Sequence, residues 1–392
     1  MSAERLAQHR ARFWSQLQPW IALTPALASH YGEPLARFPI VEPSDLRADY
    51  GAWNSHGKSD AELRRLANAA EAGELAEKEL SAGWSTGTSG DNRGLFLADS
   101  AERADYVGQS LARLLPAPAL LKKQRLALHL RASNSLYSDV KGGRFAFKHI
   151  PLVHDIEDVA EQLQTFSPTI LIAPPHRLLD LAKVGLHLPD LRYLFCGSEP
   201  ISQCERDVIK QAFCMRPRSI YQATEGFLAA DCEHGRLHLN EYAIEFELEP
   251  VPGTKGFRPI ITDLRRKSQP IVRLRSDDFI ELDERPCFCG FGGRAILPPQ
   301  GRVSDLWHIS GRVLTPRQIV EAVEAELGGA VPWQAIADSR KVTLQVAPDD
   351  ETNLAERAGE ALSKLVGLDP TVVQNLEKWT GPKRRKVMWA DG

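Results

Sequence analysis

LALHL at 126–130, IEDVAEQLQTF at 156–166, TILIAP at 169–174 and RYLFCG at 192–197 decide the fold. The first, third and fourth are apolar runs of strand length, and the second spaces its apolar residues as a helix does. With AERADYVGQSLARLL at 101–115, strand and helix alternate from about residue 80 to residue 225, the pattern of an α/β layer. Upstream, the first 80 residues read as a leading helical cap. It includes SDAELRRLANAAEAGELAEKEL at 59–80, a helix opened by the capping pair Ser59-Asp60. Downstream, HLNEYAIEFELEP (238–250), FRPIITDL (257–264), PIVRLRSDDFIEL (270–282) and the Gly-rich CFCGFGGRAILPPQGR (287–302) predict a β-rich appendix of short strands and turns. After Arg302 the pattern restarts, with TPRQIVEAVEAELGG (315–329) helical, KVTLQVAP (341–348) a strand and NLAERAGEALSKLVG (353–367) helical. The expected architecture is therefore a large α/β domain over 1–301 and a small α+β domain over 302–392, since 392 residues exceed one ordinary core.

Composition narrows the function classes. At 43% hydrophobic and 25% charged residues the chain is of the globular type. Its opening MSAERLAQHRARFWSQLQPW lacks the apolar stretch of a secretory signal, so a cytoplasmic location is expected. A net charge of -3 with both signs interspersed supplies no field for nucleic acid or an anionic membrane, which leaves a small-molecule substrate. Six cysteines in such a chain are read for their spacing and not as a disulfide framework.

The segment WSTGTSGDNRG (84–94) combines glycines with Ser85, Thr86, Thr88 and Ser89 in what reads as a loop following a helix. Glycine lets the backbone approach phosphate oxygens, and the hydroxyls add donors. It is not a Walker loop, because no Gly-Lys-Ser/Thr follows. Four further segments accompany it in order: YQATEG (221–226), TDLRRKSQPIVRLRSDD (262–278), GRVSDLWHISGRVLTPRQI (301–319) and GPKRRKV (381–387).

Together these segments resemble the adenylate-forming superfamily of acyl-CoA synthetases and carrier-protein adenylation domains. Within it the chain looks most like the phenylacetate-CoA ligase branch and the related synthetases that adenylate a deazaflavin coenzyme. The resemblance covers about residues 80–392. It implies ATP-dependent activation of a carboxylic acid as acyl-AMP, then transfer to a thiol, either CoA or a carrier-protein phosphopantetheine. It places Ser85, Thr86, Gly87, Thr88, Ser89 and Gly90 on the β- and γ-phosphates of ATP, and Gly197, Ser198 and Glu199 beside adenine. Tyr221 would stack on adenine, Thr224 bind phosphate and Glu225 hold Mg²⁺, a hard cation suited to a carboxylate. Asp278 would accept from the ribose hydroxyls with Asp277 in reserve, and Arg302 would reach ribose or phosphate. Lys383 would neutralise charge as the carboxylate attacks the α-phosphate, with Arg384, Arg385 and Lys386 as substitutes. The small domain would rotate at about residue 302, where Ser304 and Asp305 replace the usual hinge residue. A nucleotidyltransferase that leaves AMP on its substrate, a carrier-protein-loading enzyme and an inactive nucleotide-binding homologue remain alternatives, and a homodimer is left open.

Cys232 and His238 form C-x5-H, followed by Cys287 and Cys289 as C-x-C-G. Three thiolates and an imidazole make a tetrahedral Zn²⁺ set, with His234 as a rival ligand. The resemblance supports a structural zinc here. Cys196, Cys204 and Cys214 have no partner at metal spacing and read as core thiols. Trp84, Tyr137, Phe145, Phe147 and Phe227 lie near the motifs and suggest a flat apolar pocket for an aryl or arylacetic acid.

Overall fold

The computed structural model describes residues 1–72, 79–85, 93–131, 144–348, 353–376 and 383–390. At its centre is an eight-stranded sheet in the order Ala295–Ile296, Leu237–Leu239, Gly226–Asp231, Arg218–Ala223, Tyr193–Cys196, Ile170–Ala173, Gln124–Leu128, Phe145–His149. From Arg218–Ala223 to Phe145–His149 neighbouring strands pair in parallel; the other pairs are antiparallel. Helices Ile156–Phe166, Pro175–Lys183 and Gln203–Phe213 connect the parallel strands, as crossovers between parallel neighbours require. Their apolar stripes, with Val159, Leu163, Leu178, Leu181 and Ile209 fully buried, form one core with Leu171, Ala173 and Leu194 of the sheet. The α/β layer read from the sequence is thus the sheet that carries the site, and the parallel strands end on one edge, where such sheets bind ligands.

The leading residues form helices Ala3–Leu23 and Asp60–Glu71, the second capped by Ser59 in a capping box with Glu62. The second is shorter than the sequence suggested. It ends at Glu71, residues 73–78 lie outside the described residues, and Leu80, the last residue of the expected helix, opens the strand Leu80–Trp84. Consequently the Gly/Ser/Thr-rich segment follows a strand and not a helix, and returns as Leu95–Asp99 in a hairpin. The β-rich stretch is a three-stranded antiparallel sheet, Ile244–Pro250, Phe257–Asp263 and Ile271–Arg275. The leading cap packs on it through Leu17, Ile21, Phe38 and Val272.

From Trp307 onward a separate core begins. Helices Pro316–Leu327 and Leu354–Val366 cover a four-stranded sheet in the order Thr371–Val373, Val342–Val346, Trp333–Ala337, Val387–Trp389. Val387–Trp389 pairs in parallel with Trp333–Ala337, so the basic run at 383–386 leads directly into a buried sheet. No helix among the described residues is long and apolar enough to cross a membrane.

Candidate active site

A cleft of about 1580 Å³ opens at the C-terminal ends of the parallel strands. Ser85, Gly197, Ser198, Glu199, Tyr221, Thr224, Glu225, Asp278, Arg302 and Lys383 all line it, although they come from six separate stretches of chain. Thr86, Gly87, Thr88, Ser89 and Gly90 lie outside the described residues, as does Tyr137. The neck of their loop is described: the Ser85 amide donates to the Gly94 carbonyl at 2.7 Å, and the Gly94 amide donates to Ser85 Oγ at 2.9 Å. Gly94 also abuts Thr224, whose side chain would stand 3.2 Å from a Cβ there. The base of the loop and the Thr224-Glu225 turn therefore form one wall.

Tyr221, at the end of Arg218–Ala223, donates its hydroxyl to Asp278 Oδ2 at 2.5 Å. Burial, and then the Asp278 charge, push the Tyr221 phenol well above its usual range. Burial and the same carboxylate also raise the Glu225 carboxyl, which makes it a receptive position for a cation. Asp277 points elsewhere: it accepts from Ser304 Oγ at 2.6 Å and pairs with Arg258 at 3.4 Å. Arg302 sits opposite Asp278 in a two-strand ladder, so its backbone position is set by the residue it flanks in the cleft.

The four basic residues of 383–386 separate cleanly. Arg384 pairs with Glu199 and Glu205, Arg385 with Asp305, and Lys386 with Glu205 and Glu324. Among the described residues Lys383 alone of the four has no ion pair or hydrogen bond. Burial lowers its ammonium, while Asp278, Glu225 and Glu199 act to hold it up. Glu199, expected beside adenine, has a side chain only 1% exposed; it accepts from His176 Nδ1 at 2.9 Å and from Arg384.

Several residues of the site had no role in the sequence reading. Arg266 is desolvated in the cleft wall and donates to the Thr224 carbonyl and, at 2.5 Å, to Gln269, bracing the turn that presents Glu225. His176 opens the helix after the strand Ile170–Ala173, and the signal for it was Pro-Pro-His at the end of a buried apolar run. Gly226 has φ +145°, and a Cβ there would stand 2.8 Å from Asp263 Oδ2, whose carboxyl burial pushes up to about 6. Gly226→Ala is therefore expected to cost about 1–3 kcal/mol. Thermal denaturation checks this, and an unchanged melting temperature would show that the turn tolerates a side chain.

Of the aromatic residues, Trp84 and Phe227 line the cleft, Phe227 meeting Tyr106 edge to face at 6.3 Å. Phe145 and Phe147 instead pack against the core around Leu126 and Phe195. Apart from the cleft, Cys232, His238, Cys287 and Cys289 converge, with all four ligand atoms within 4.8 Å of one another. Cys232 and Cys287 sulfurs are 3.6 Å apart, and Cys289 Sγ is 3.5 Å from His238 Nε2. His238 Nδ1 lies 2.8 Å from the Gly293 carbonyl, which can only accept, so Nδ1 carries the hydrogen and Nε2 is free to ligate. His234 is half exposed beside Glu233 and stands outside the cluster.

The chain is similar along nearly its whole length to 2-hydroxyisobutyryl-CoA ligase in the postadenylation state in complex with R3-HIB-AMP: TM-score 0.74 at 20% identity, covering 98% of this chain and 90% of that one. The fold is that of the adenylate-forming, acyl-CoA synthetase-like superfamily. Against the same ligase in the thioesterification state, with 2-HIB-AMP and CoA, the TM-score is 0.58 over equal coverage, so the overall arrangement matches the former better. In sequence, the chain is 26% identical over 222 residues to the phenylacetate-coenzyme A ligase of Thermus thermophilus, covering 52% of this chain. The match spans 48% of that relative, about half its length. No family model matches.

Proposed function

We propose that this protein is an ATP-dependent, adenylate-forming acid–thiol ligase that activates a small carboxylic acid as acyl-AMP and passes the acyl group to a thiol, CoA in the first instance. The observation that carries this reading is the meeting of Tyr221, Thr224, Glu225, Asp278 and Arg302 with Lys383, which has no ion pair among the described residues, in one cleft. Asp278 and Tyr221 hold the ribose and adenine end of the nucleotide, and Thr224 with the Ser85–Gly90 loop holds the phosphates. Glu225 is the ligand for Mg²⁺, and its raised carboxyl fits a site that gains a cation with its substrate. Bound Mg²⁺ supplies charge neutralisation on the phosphate oxygens.

A carboxylate oxygen of the acid attacks the α-phosphorus, and the bond to pyrophosphate breaks. Lys383 steadies the charge that develops on the α-phosphate, the task for which a preorganised cation in a water-poor cleft is most effective. Thioester formation follows with the C-terminal unit rotated about the stretch near Arg302. Phe227 and Tyr106, beside the Glu225 turn, favour an aromatic acid. Cys232, His238, Cys287 and Cys289 hold a structural Zn²⁺. A tetrahedral ion with ordinary bond lengths would set sulfurs about 3.8 Å apart and sulfur from nitrogen about 3.6 Å, near the separations of Cys232 from Cys287 and of Cys289 from His238.

Pyrophosphate exchange against a broad panel of carboxylic acids, with and without CoA, tests the reading. Exchange above background with at least one acid, and a CoA thioester when CoA is added, is the expected result. Absence of exchange with every acid would overturn the ligase assignment, and a stable adenylated product indifferent to thiol would convert it to nucleotidyl transfer. Glu225→Ala is expected to weaken the metal dependence sharply; an unaltered dependence moves the Mg²⁺ ligand elsewhere.

A further inference from the structure

Glu199 ends the turn after Tyr193–Cys196, where Ser198 takes left-handed backbone (φ 72°) that non-glycine residues rarely adopt. Its carboxylate receives the Arg384 amide at 3.0 Å, Arg384 Nε at 2.9 Å and Arg384 Nη2 at 2.7 Å. Its Oε1, which takes the Arg384 guanidinium, also receives the amide and Nδ1 of His176, at 3.1 and 2.9 Å. Glu205, held in the first turn of Gln203–Phe213 by a capping box with Ser202, pairs with Arg384 at 2.8 Å and with Lys386 at 2.7 Å. Lys386 in turn meets Glu324 of the C-terminal unit at 2.5 Å. Positive and negative groups therefore alternate across the boundary between the two cores, with both large-unit carboxylates almost wholly buried. The backbones approach closely beside this chain of charges: a Cβ on Gly329 would come within 2.3 Å of the Cys204–Glu205 peptide.

We propose that Glu199 is a positioning residue for Lys383: by clasping Arg384, the next residue in the chain, it fixes the C-terminal unit in the arrangement that places the Lys383 ammonium in the cleft. The argument rests on charge and adjacency. One peptide separates Lys383 from Arg384, so a fixed Arg384 backbone leaves Lys383 only its own side-chain rotamers to search. Three donors from one residue on a single carboxylate fix both the direction and the depth of the segment. Opening the boundary gives up the Arg384 and Lys386 ion pairs to Glu199 and Glu205 together, and charge-assisted hydrogen bonds of this kind are the strong ones. The clasp thus favours the closed arrangement before any substrate binds. The role assigned to Lys383 rests on the ligase reading; the clasp does not.

The Arg384 amide reports on the clasp directly, because its hydrogen is donated to Glu199 across the boundary. In the substrate-free full-length protein, hydrogen–deuterium exchange at this amide is expected to be slow, and about tenfold faster or more in Glu199→Gln and in Arg384→Met. Arg384→Met removes the guanidinium from the other side of the boundary with Glu199 in place, and covers the case in which Glu199→Gln is unstable. Exchange as slow as wild type in a folded variant would overturn the clasp. With an acid that supports pyrophosphate exchange in the wild type, both variants are expected to lose kcat for exchange about tenfold or more with little change in KM for ATP. Arg384→Lys should restore part of it. A faster amide with unchanged kcat would overturn the positioning role, whereas wild type inactive with every acid would count against the ligase reading and leave the amide measurement to decide the clasp.

Discussion

Lys383→Ala is expected to slow acyl-adenylate formation about 10²- to 10³-fold, the scale of one lost preorganised contact to a transition state. Arg384, Arg385 and Lys386 are each held by carboxylates, while Lys383, with no such partner among the described residues, lies near Asp278 and Glu225 in the cleft. A contact used only as charge develops lowers the rate and leaves ground-state binding nearly intact, so affinity for ATP should change little. Thioester formation from a pre-made acyl-AMP should be almost untouched, since the C-terminal unit then presents another face. Measuring the two half-reactions separately decides the matter, and equal damage to both would remove Lys383 from its role. The same variant also separates Lys383 from its neighbour. It should leave the Arg384 amide as slowly exchanging as in wild type, because the clasp to Glu199 does not involve the Lys383 side chain.

Protein purified without added zinc is expected to contain near-stoichiometric Zn²⁺, and Cys287→Ser to lower stability by about 3 kcal/mol or more, about 5 °C or more in melting temperature. Between Cys232–His238 and Cys287–Cys289 the chain runs through the three-stranded sheet, and the ion adds a cross-link to the long loop that the pairing of Leu237–Leu239 with Ala295–Ile296 also closes. The same loop meets the first helix, whose leading Met1 carbonyl accepts from the Gly292 amide at 2.8 Å. Loss of the ion should therefore also loosen the contact between the 287–293 turn and the start of Ala3–Leu23. Metal analysis and melting with and without chelator check this. A metal-free protein, or a Cys287→Ser variant that melts as wild type does, would return the four residues to ordinary thiols and a buried imidazole.

The alternation of apolar strands and amphipathic helices was legible in the sequence because each element must bury its own face, and that requirement is written in local periodicity. So were the restart after Arg302 and a cluster of Cys232, Cys287 and Cys289 with a nearby histidine, where residue type alone restricts the chemistry. The strand that opens at Leu80 was not, since the sequence keeps a helical composition up to that residue while its pairing with Asp99 is a tertiary contact. Nor could the sequence choose between chemically equivalent neighbours. Asp277 and Asp278, His234 and His238, and the four basic residues at 383–386 offer the same groups within a few positions. Only tertiary structure separated them. Successive side chains on extended backbone leave in opposite directions, so Asp278 reaches Tyr221 while Asp277 turns to Ser304. Arg384 likewise meets Glu199, which lies 185 positions away in the chain, and no local pattern announces a partner at that distance.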